Sequence, residues 1–137
     1  MKLFIISAIF MILTKSCQKD FEVKDYDSYP FAENTDLWPN YDKDATILKI
    51  WAPTAQEVII RLFNKGNESG PFTTHQMNLA SNGVWTKKIE GDLEGTYYTF
   101  QVKVQNNWLD ETPGMYAQAV GVNGDRAMVL NLETTNP

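Results

Sequence analysis

Between Leu48 and Phe63 apolar and polar residues alternate with a period of two, broken once by a proline. Leu48, Ile50 and Ala52 fall on one face of a strand and Lys49 and Trp51 on the other, while Val58, Ile60 and Leu62 form the matching inner set of the next strand. Pro53 has no amide hydrogen to give to a ladder, so the first strand ends there and the chain turns through Thr54–Glu57. Two strands cannot bury an apolar face alone, so the segments downstream are expected to complete a two-layer core.

Asn64–Pro71 gathers Asn, Gly, Ser and Pro and reads as a loop. A strand is predicted from about Phe72 to Leu79, with His75, Met77 and Leu79 on one side. Asn82-Gly83 marks a hairpin into Val84–Ile89, where Trp85 and Ile89 share a face with Lys87 between them. Gly91–Gly95 then turns the chain into Thr96–Val104, the clearest strand. Tyr98, Phe100, Val102 and Val104 are expected to face in, and Tyr97, Thr99, Gln101 and Lys103 to face out. Asn106-Asn107 closes a hairpin and delivers Trp108. Leu109–Gly121 is longer and less periodic; after Asn123-Gly124 a last strand is predicted to turn Met128, Leu130 and Leu132 inward. Short strands, frequent turn residues and the lack of a helical period predict an all-β fold, an antiparallel β-sandwich.

The segment before the sandwich has a different pattern. Phe21–Asp44 is rich in Asp, Tyr, Pro and Asn and reads as an irregular tether, with apolar clusters only at Tyr29-Pro30-Phe31 and Leu37-Trp38-Pro39. Those clusters either pack across the sandwich as a lead-in or stand out as anchors for a partner. Ahead of the tether, Lys2 precedes an unbroken apolar run, Leu3–Leu13, which is too short for a bilayer span of roughly 17–25 residues. It matches the h-region of a signal peptide. Cys17, the single cysteine, stands where a bacterial lipoprotein precursor carries the thiol that receives diacylglycerol; the alternative is cleavage elsewhere, leaving a free thiol. Leu13 lies four residues before it rather than the usual three, with Lys15 between. Gln18–Glu22 resembles the short acidic export signal of Bacteroidetes surface lipoproteins. An exported chain, held at the outer membrane or cell surface by a lipid anchor, is the resulting expectation.

With 137 residues and 43% hydrophobic content the chain can build one modest core. Its formal charge is −5, and removal of residues 1–16 takes Lys2 and Lys15 and leaves −7. So acidic a domain is a poor partner for nucleic acid or anionic headgroups, and it would meet a membrane only through its anchor. A neutral ligand suits it better.

Four phrases in order carry a family resemblance from about Leu48 onward: Leu48-Lys49-Ile50-Trp51-Ala52-Pro53-Thr54-Ala55, Asn82-Gly83-Val84-Trp85, Gly95-Thr96-Tyr97-Tyr98-Thr99-Phe100-Gln101-Val102 and Tyr116-Ala117-Gln118-Ala119-Val120-Gly121-Val122-Asn123-Gly124. Together they resemble the family 48 carbohydrate-binding module that precedes the catalytic barrel of type I pullulanases. Gly114-Met115 departs from the Asp-Pro that relatives carry before Tyr-Ala. The resemblance implies an immunoglobulin-like sandwich in an α-glucan debranching protein of glycoside hydrolase family 13. The expected organisation is a lipoprotein signal peptide at 1–16, a tether and lead-in at 17–44, the sandwich at 45–133, and the start of a linker to the barrel at 134–137.

Within the chain no catalytic machinery is expected. Retaining glycoside hydrolysis needs two carboxyl groups about 5–5.5 Å apart across the sugar. Asp110 and Glu111 are adjacent and point apart on an extended chain, and Asp92 with Glu94 sits in a turn, where solubility is the simplest role. There is no phosphate-binding glycine loop, no Ser/His/Asp set and no His/Cys cluster with metal spacing, and the lone His75 on a strand is assigned no chemistry. Neither a metal nor a cofactor is expected; the family's catalytic residues belong to a barrel expected after Pro137. The likeness to glycogen-recognising relatives makes Trp108 a candidate for stacking on glucose, with Lys103 on the same hairpin beside it. Those relatives add a second tryptophan on an earlier loop, and Asn64–Pro71 has none, so α-glucan (starch, glycogen or pullulan) should bind weakly to the isolated module. Trp51, opposite the inner set of its strand, either docks the module to the barrel in cis or is covered by Tyr29–Pro39. Three readings stand: a non-catalytic module of a pullulanase-type enzyme, a stand-alone glucan-binding surface lipoprotein, or an immunoglobulin-like interaction domain.

Overall fold

The computed structural model describes residues 26–135 except 68 and 71. Cys17 and the Leu3–Leu13 run, and with them the expected signal peptide and lipid anchor, lie outside the described residues. In chain order the strands are β1 (Asn40–Tyr41), β2 (Ala45–Trp51), β3 (Glu57–Phe63), β4 (Phe72–Gln76), β5 (Asn78–Leu79), β6 (Val84–Glu90), β7 (Tyr97–Val104), β8 (Asn107–Trp108) and β9 (Ala127–Met128). They form two antiparallel sheets, one ordered β1-β2-β6-β5 and the other β4-β3-β7-β8, with β9 also on β7. Short 3₁₀ turns occur at Tyr26–Ser28, Val122–Gly124 and Leu132–Thr135. The result is the expected β-sandwich.

The alternation read from the sequence fills the space between the sheets. Leu48 from β2 meets Val58, Ile60 and Leu62 from β3, with Trp85 and Ile89 from β6 and Tyr98 and Phe100 from β7. Each fully buried apolar side chain of this size contributes about 1.5–3 kcal/mol. Tyr98 and Phe100 meet edge to face at 5.5 Å, and burial pushes the Tyr98 phenol up to about 12. Trp85 is buried with its one polar atom satisfied, since Nε1 donates to the Ala52 carbonyl at 3.0 Å. The Pro53 corner rests on the Asn82-Gly83 hairpin, both residues of which have positive φ, as a type I′ turn requires. A Cβ on Gly83 would come within 2.7 Å of Pro53, so the close approach needs glycine.

Two expectations need correction. Phe72–Leu79 is not one strand: β4 pairs with β3, whereas β5 pairs with β6 in the other sheet, and the chain changes sheets at Met77. Met77 plugs the space between them at 2% exposure, while Leu79 is left 52% exposed. The alternation continues through this bend, so sequence period alone could not register the change of sheet. In the last strand the phase is reversed. Ala127 sits opposite Tyr98, and directly opposed residues share a face, so Ala127 and Val129 are fully buried while Leu132 is exposed.

The lead-in runs along the sandwich. Leu37 is buried, β1 pairs Asn40 with Ile47 and Tyr41 with Thr46, and Lys49 Nζ donates to the Asp36 carbonyl at 2.8 Å. The free edge of β7 is covered in three short pieces: β9 at Tyr97–Tyr98, an isolated bridge from Phe100 to Thr112, and β8 at Lys103–Val104. The aperiodic Leu109–Gly121 passage supplies the middle piece, at Thr112, and links β8 to β9.

Candidate functional site

Register builds the candidate site on the outer face of β7. Glu57 lies opposite Lys103, and Lys103 opposite Trp108, so three strands present one row of side chains to solvent. The turn between β7 and β8 uses Gln105 and Asn106 in the left-handed region, and Gln56 clamps it: its side-chain oxygen accepts from the Asn106 backbone N–H at 2.7 Å and its backbone N–H donates to the Lys103 carbonyl at 2.8 Å. The hairpin carrying Trp108 is thereby tied to the start of β3. Trp108 keeps 40% of its surface exposed. Lys103 Nζ stands 5.6 Å from the ring centroid and pairs with Glu57 Oε1 at 2.6 Å.

This row suits a neutral polyhydroxyl ligand. The indole offers a flat apolar surface of the kind that packs against the C–H face of a sugar. Lys103 has three donors and gives one to Glu57, and the pairing leaves the row close to neutral. Lys103 and Trp108, named from sequence, are thus brought together. Glu57 and Gln56 were missed, because they lie 46 and 50 residues from their hydrogen-bond partners and no local signal links them.

Further along the same face Arg61 pairs with Glu111, whose other oxygen accepts from Thr99 Oγ1 at 2.6 Å. Thr99 points outward, as expected, yet is buried at 2% exposure, with Arg61 directly opposite it on β3 and the Glu111 carboxylate on its hydroxyl. The Arg61 guanidinium also lies 4.9 Å from the ring of Phe72, which is half exposed at the far end of the sheet. Phe72 is another aromatic on this face, and no local signal marks it, because only its pairing with Phe63 across β3 and β4 sets it there.

Two of the carboxylates considered for catalysis, Asp92 and Glu111, are engaged structurally. Asp92 accepts from the Tyr41 hydroxyl at 2.8 Å and from the Glu94 amide at 3.0 Å. The Glu94 amide and then the Tyr41 hydroxyl hold its carboxyl below the usual range, and the same bond raises Tyr41 to about 12. Glu111 is committed to Arg61 and Thr99. Asp92 and Glu111 are therefore fold-holding groups as well as solubilising ones. His75 is pushed below its ordinary value by partial burial and by Lys87, which favours a neutral ring.

Trp51 has a different setting. It is 41% exposed, its Nε1 donates to the carbonyls of Pro30 at 3.2 Å and Asn82 at 3.1 Å, and Tyr29 tilts against it at 6.4 Å. The lead-in therefore reaches Trp51 without enclosing it.

Residues 36–121 match the family model of carbohydrate-binding module 48, the isoamylase N-terminal domain. The chain belongs to this family. The module is 37% identical over 100 residues to a pullulanase of Bacillus subtilis (strain 168), covering 73% of this chain and 13% of that protein. It is 30% identical over 95 residues to the 1,4-alpha-glucan branching enzyme GlgB of Jannaschia sp. (strain CCS1), covering 65% and 13%. Among solved structures, a mutant pullulanase of Paenibacillus barengoltzii complexed with maltotetraose superposes with a TM-score of 0.71 at 36% identity, over 77% of this chain and 16% of that one. A pullulanase of Anoxybacillus sp. LM18-11 complexed with maltotriose gives 0.70 at 35%, over 81% and 15%. The module thus spans only about an eighth of the length of the curated relatives it matches.

Proposed function

We propose that this chain is the non-catalytic, α-glucan-recognising module of a pullulanase-type debranching enzyme, acting in starch, glycogen or pullulan breakdown, with hydrolysis of α-1,6 links performed by a barrel in the same polypeptide. The observation that carries the glucan reading is the Glu57–Lys103–Trp108 row, a half-exposed indole beside a neutralised ammonium on a braced hairpin. Trp108 stacks on one glucose ring and Lys103 donates to its hydroxyls. Further along the same face the Thr99–Glu111–Arg61 network ties β3 and β7 to the segment after Trp108. With a single tryptophan the isolated module binds weakly, and the enzyme gains most from it when a bound barrel holds the same chain nearby.

The same reading places the protein outside the cytoplasm, with Cys17 acylated after cleavage at residue 16. Two acyl chains give stable membrane attachment where one is marginal. Replacing Cys17 with Ser is expected to release the mature protein or leave the precursor uncleaved; unchanged membrane retention without lipid mass at residue 17 would remove the anchor from the proposal. The glucan assignment is tested by affinity electrophoresis through soluble glycogen. Retardation that is lost in Trp108→Ala supports it, and equal mobility of the two forms with and without glycogen rejects it.

A further inference from the structure

The ion pair beside Trp108 is unequally exposed. Glu57 keeps 42% of its side-chain surface in solvent and Lys103 24%, so a ligand approaching the indole meets the carboxylate before the ammonium. Lys103 Nζ donates to Glu57 Oε1 at 2.6 Å, while Oε2 has no partner among the described residues. A carboxylate only accepts hydrogen bonds and an ammonium only donates them. Next to the Trp108 ring the pair therefore presents one free acceptor oxygen together with the remaining donors of Lys103. A neutral sugar satisfies both, because each hydroxyl can give a proton and take one. An ionised phosphate or carboxylate carried by a sugar offers acceptors alone, and it sets a like charge against Oε2.

We infer that Glu57 is the specificity-determining residue of this row, admitting neutral α-glucan and rejecting glucans that carry anionic substituents such as phosphate monoesters. The inference rests on the reading of the Trp108 row as a glucan site. Lys103 alone would favour an anionic sugar, and Glu57 reverses that preference from 2.6 Å away. Discrimination of this kind uses a repulsive element as well as an attractive one. The rest of the face acts in the same direction. The outward positions of β3 and β7 hold two cations, Arg61 and Lys103, and each is closed by a distant carboxylate: Glu111, 50 residues from Arg61, and Glu57, 46 residues from Lys103. An anionic saccharide laid along these strands finds both cations already paired. Asp110, exposed two residues beyond Trp108, adds a further negative charge at that end.

The test compares maltotriose with maltotriose phosphorylated at a primary hydroxyl. Each is titrated into the 137-residue chain and followed at the indole N–H resonance of Trp108, which is identified by its loss in Trp108→Ala. The unsubstituted protein is expected to bind the neutral sugar about tenfold more tightly than the phosphorylated one at about 0.15 M salt. Glu57→Gln keeps the side-chain shape and an acceptor oxygen but removes the charge, and should bring that ratio to about one or invert it. An exposed ion pair contributes little to stability, so the substituted protein is expected to fold. Glu57→Asp retains the charge and should restore the preference for the neutral sugar. The preference should also shrink at about 1 M salt, where charges are screened within about 3 Å, a dependence that a purely structural role for Glu57 does not produce. An unchanged ratio in Glu57→Gln would overturn the inference, and so would a ratio indifferent to salt or one lost equally in Glu57→Asp. If neither sugar moves the Trp108 resonance, the glucan reading fails and the inference falls with it; if both sugars bind and the ratio ignores Glu57, only the inference fails.

Discussion

Trp51 and Trp108 are 41% and 40% exposed, yet they stand in opposite situations. The indole nitrogen of Trp51 is used twice, on the carbonyls of Pro30 and Asn82, and Tyr29 leans on the ring, so it fastens the lead-in to the β5–β6 turn. Trp108 has an ammonium near its ring and a braced turn beneath it, and contributes a surface rather than a fastening. Equal exposure therefore does not decide role; how the polar atom and the ring faces are occupied does. Trp85 is the reference point for both, with ring and Nε1 fully absorbed by the core.

Substitutions should separate the three. Trp85→Ala empties a core position and removes a donor from Ala52, and is expected to cost about 3–5 kcal/mol in urea unfolding. A cost below about 1 kcal/mol would mean that the core collapses to fill the space. The next largest effect is alkaline. Tyr98 ionises near 10.0 when unfolded and about 12 when folded, so its contribution is complete below pH 10 and is lost as pH rises toward about 12. The loss is about 1.4 kcal/mol per pH unit over that window. Tyr98→Phe should flatten that part of the stability curve; an unchanged slope would assign the alkaline loss to other groups.

Smaller effects test the comparison directly. Trp51→Phe keeps an aromatic ring and deletes the donor, and is expected to cost about 0.5–1.5 kcal/mol. It should also raise hydrogen exchange in the lead-in around Leu37 while leaving Tyr98 and its neighbours protected; exchange unchanged at the lead-in would deny Trp51 its fastening role. Trp108→Ala is expected to change stability by less than about 0.5 kcal/mol, since it lies on an exposed two-residue strand, while abolishing retardation in glycogen. A large loss of stability would make Trp108 another fastening residue and erase the contrast with Trp51.

The candidate site was half legible. Alternation along β7 puts Lys103 outward, and a tight hairpin brings Trp108 back beside it, although its turn falls at Gln105-Asn106, one residue before the Asn106-Asn107 expected, because Asn107 already pairs with Val104. The neutralising carboxylate and the clamp on the turn come from β3 and the residue before it, where only the pairing of distant strands could place them.

The amino-acid sequence determined the features that depend on neighbours along the chain. A period of two sorts Leu48, Val58, Ile60, Tyr98 and Phe100 inward whatever the strands later pair with, and Asn82-Gly83 can adopt its left-handed turn unaided. Tertiary structure decided what depends on long-range register. It moved the chain from one sheet to the other at Met77, set the phase of the last strand by placing Ala127 opposite Tyr98, and buried the outward Thr99 between Arg61 and Glu111. It also bonded Tyr41 to Asp92, 51 residues away, and gave two tryptophans of equal exposure different work. Side-chain direction within a strand is a local property of the pleat, whereas which strand lies alongside is settled by the packing of the whole sandwich.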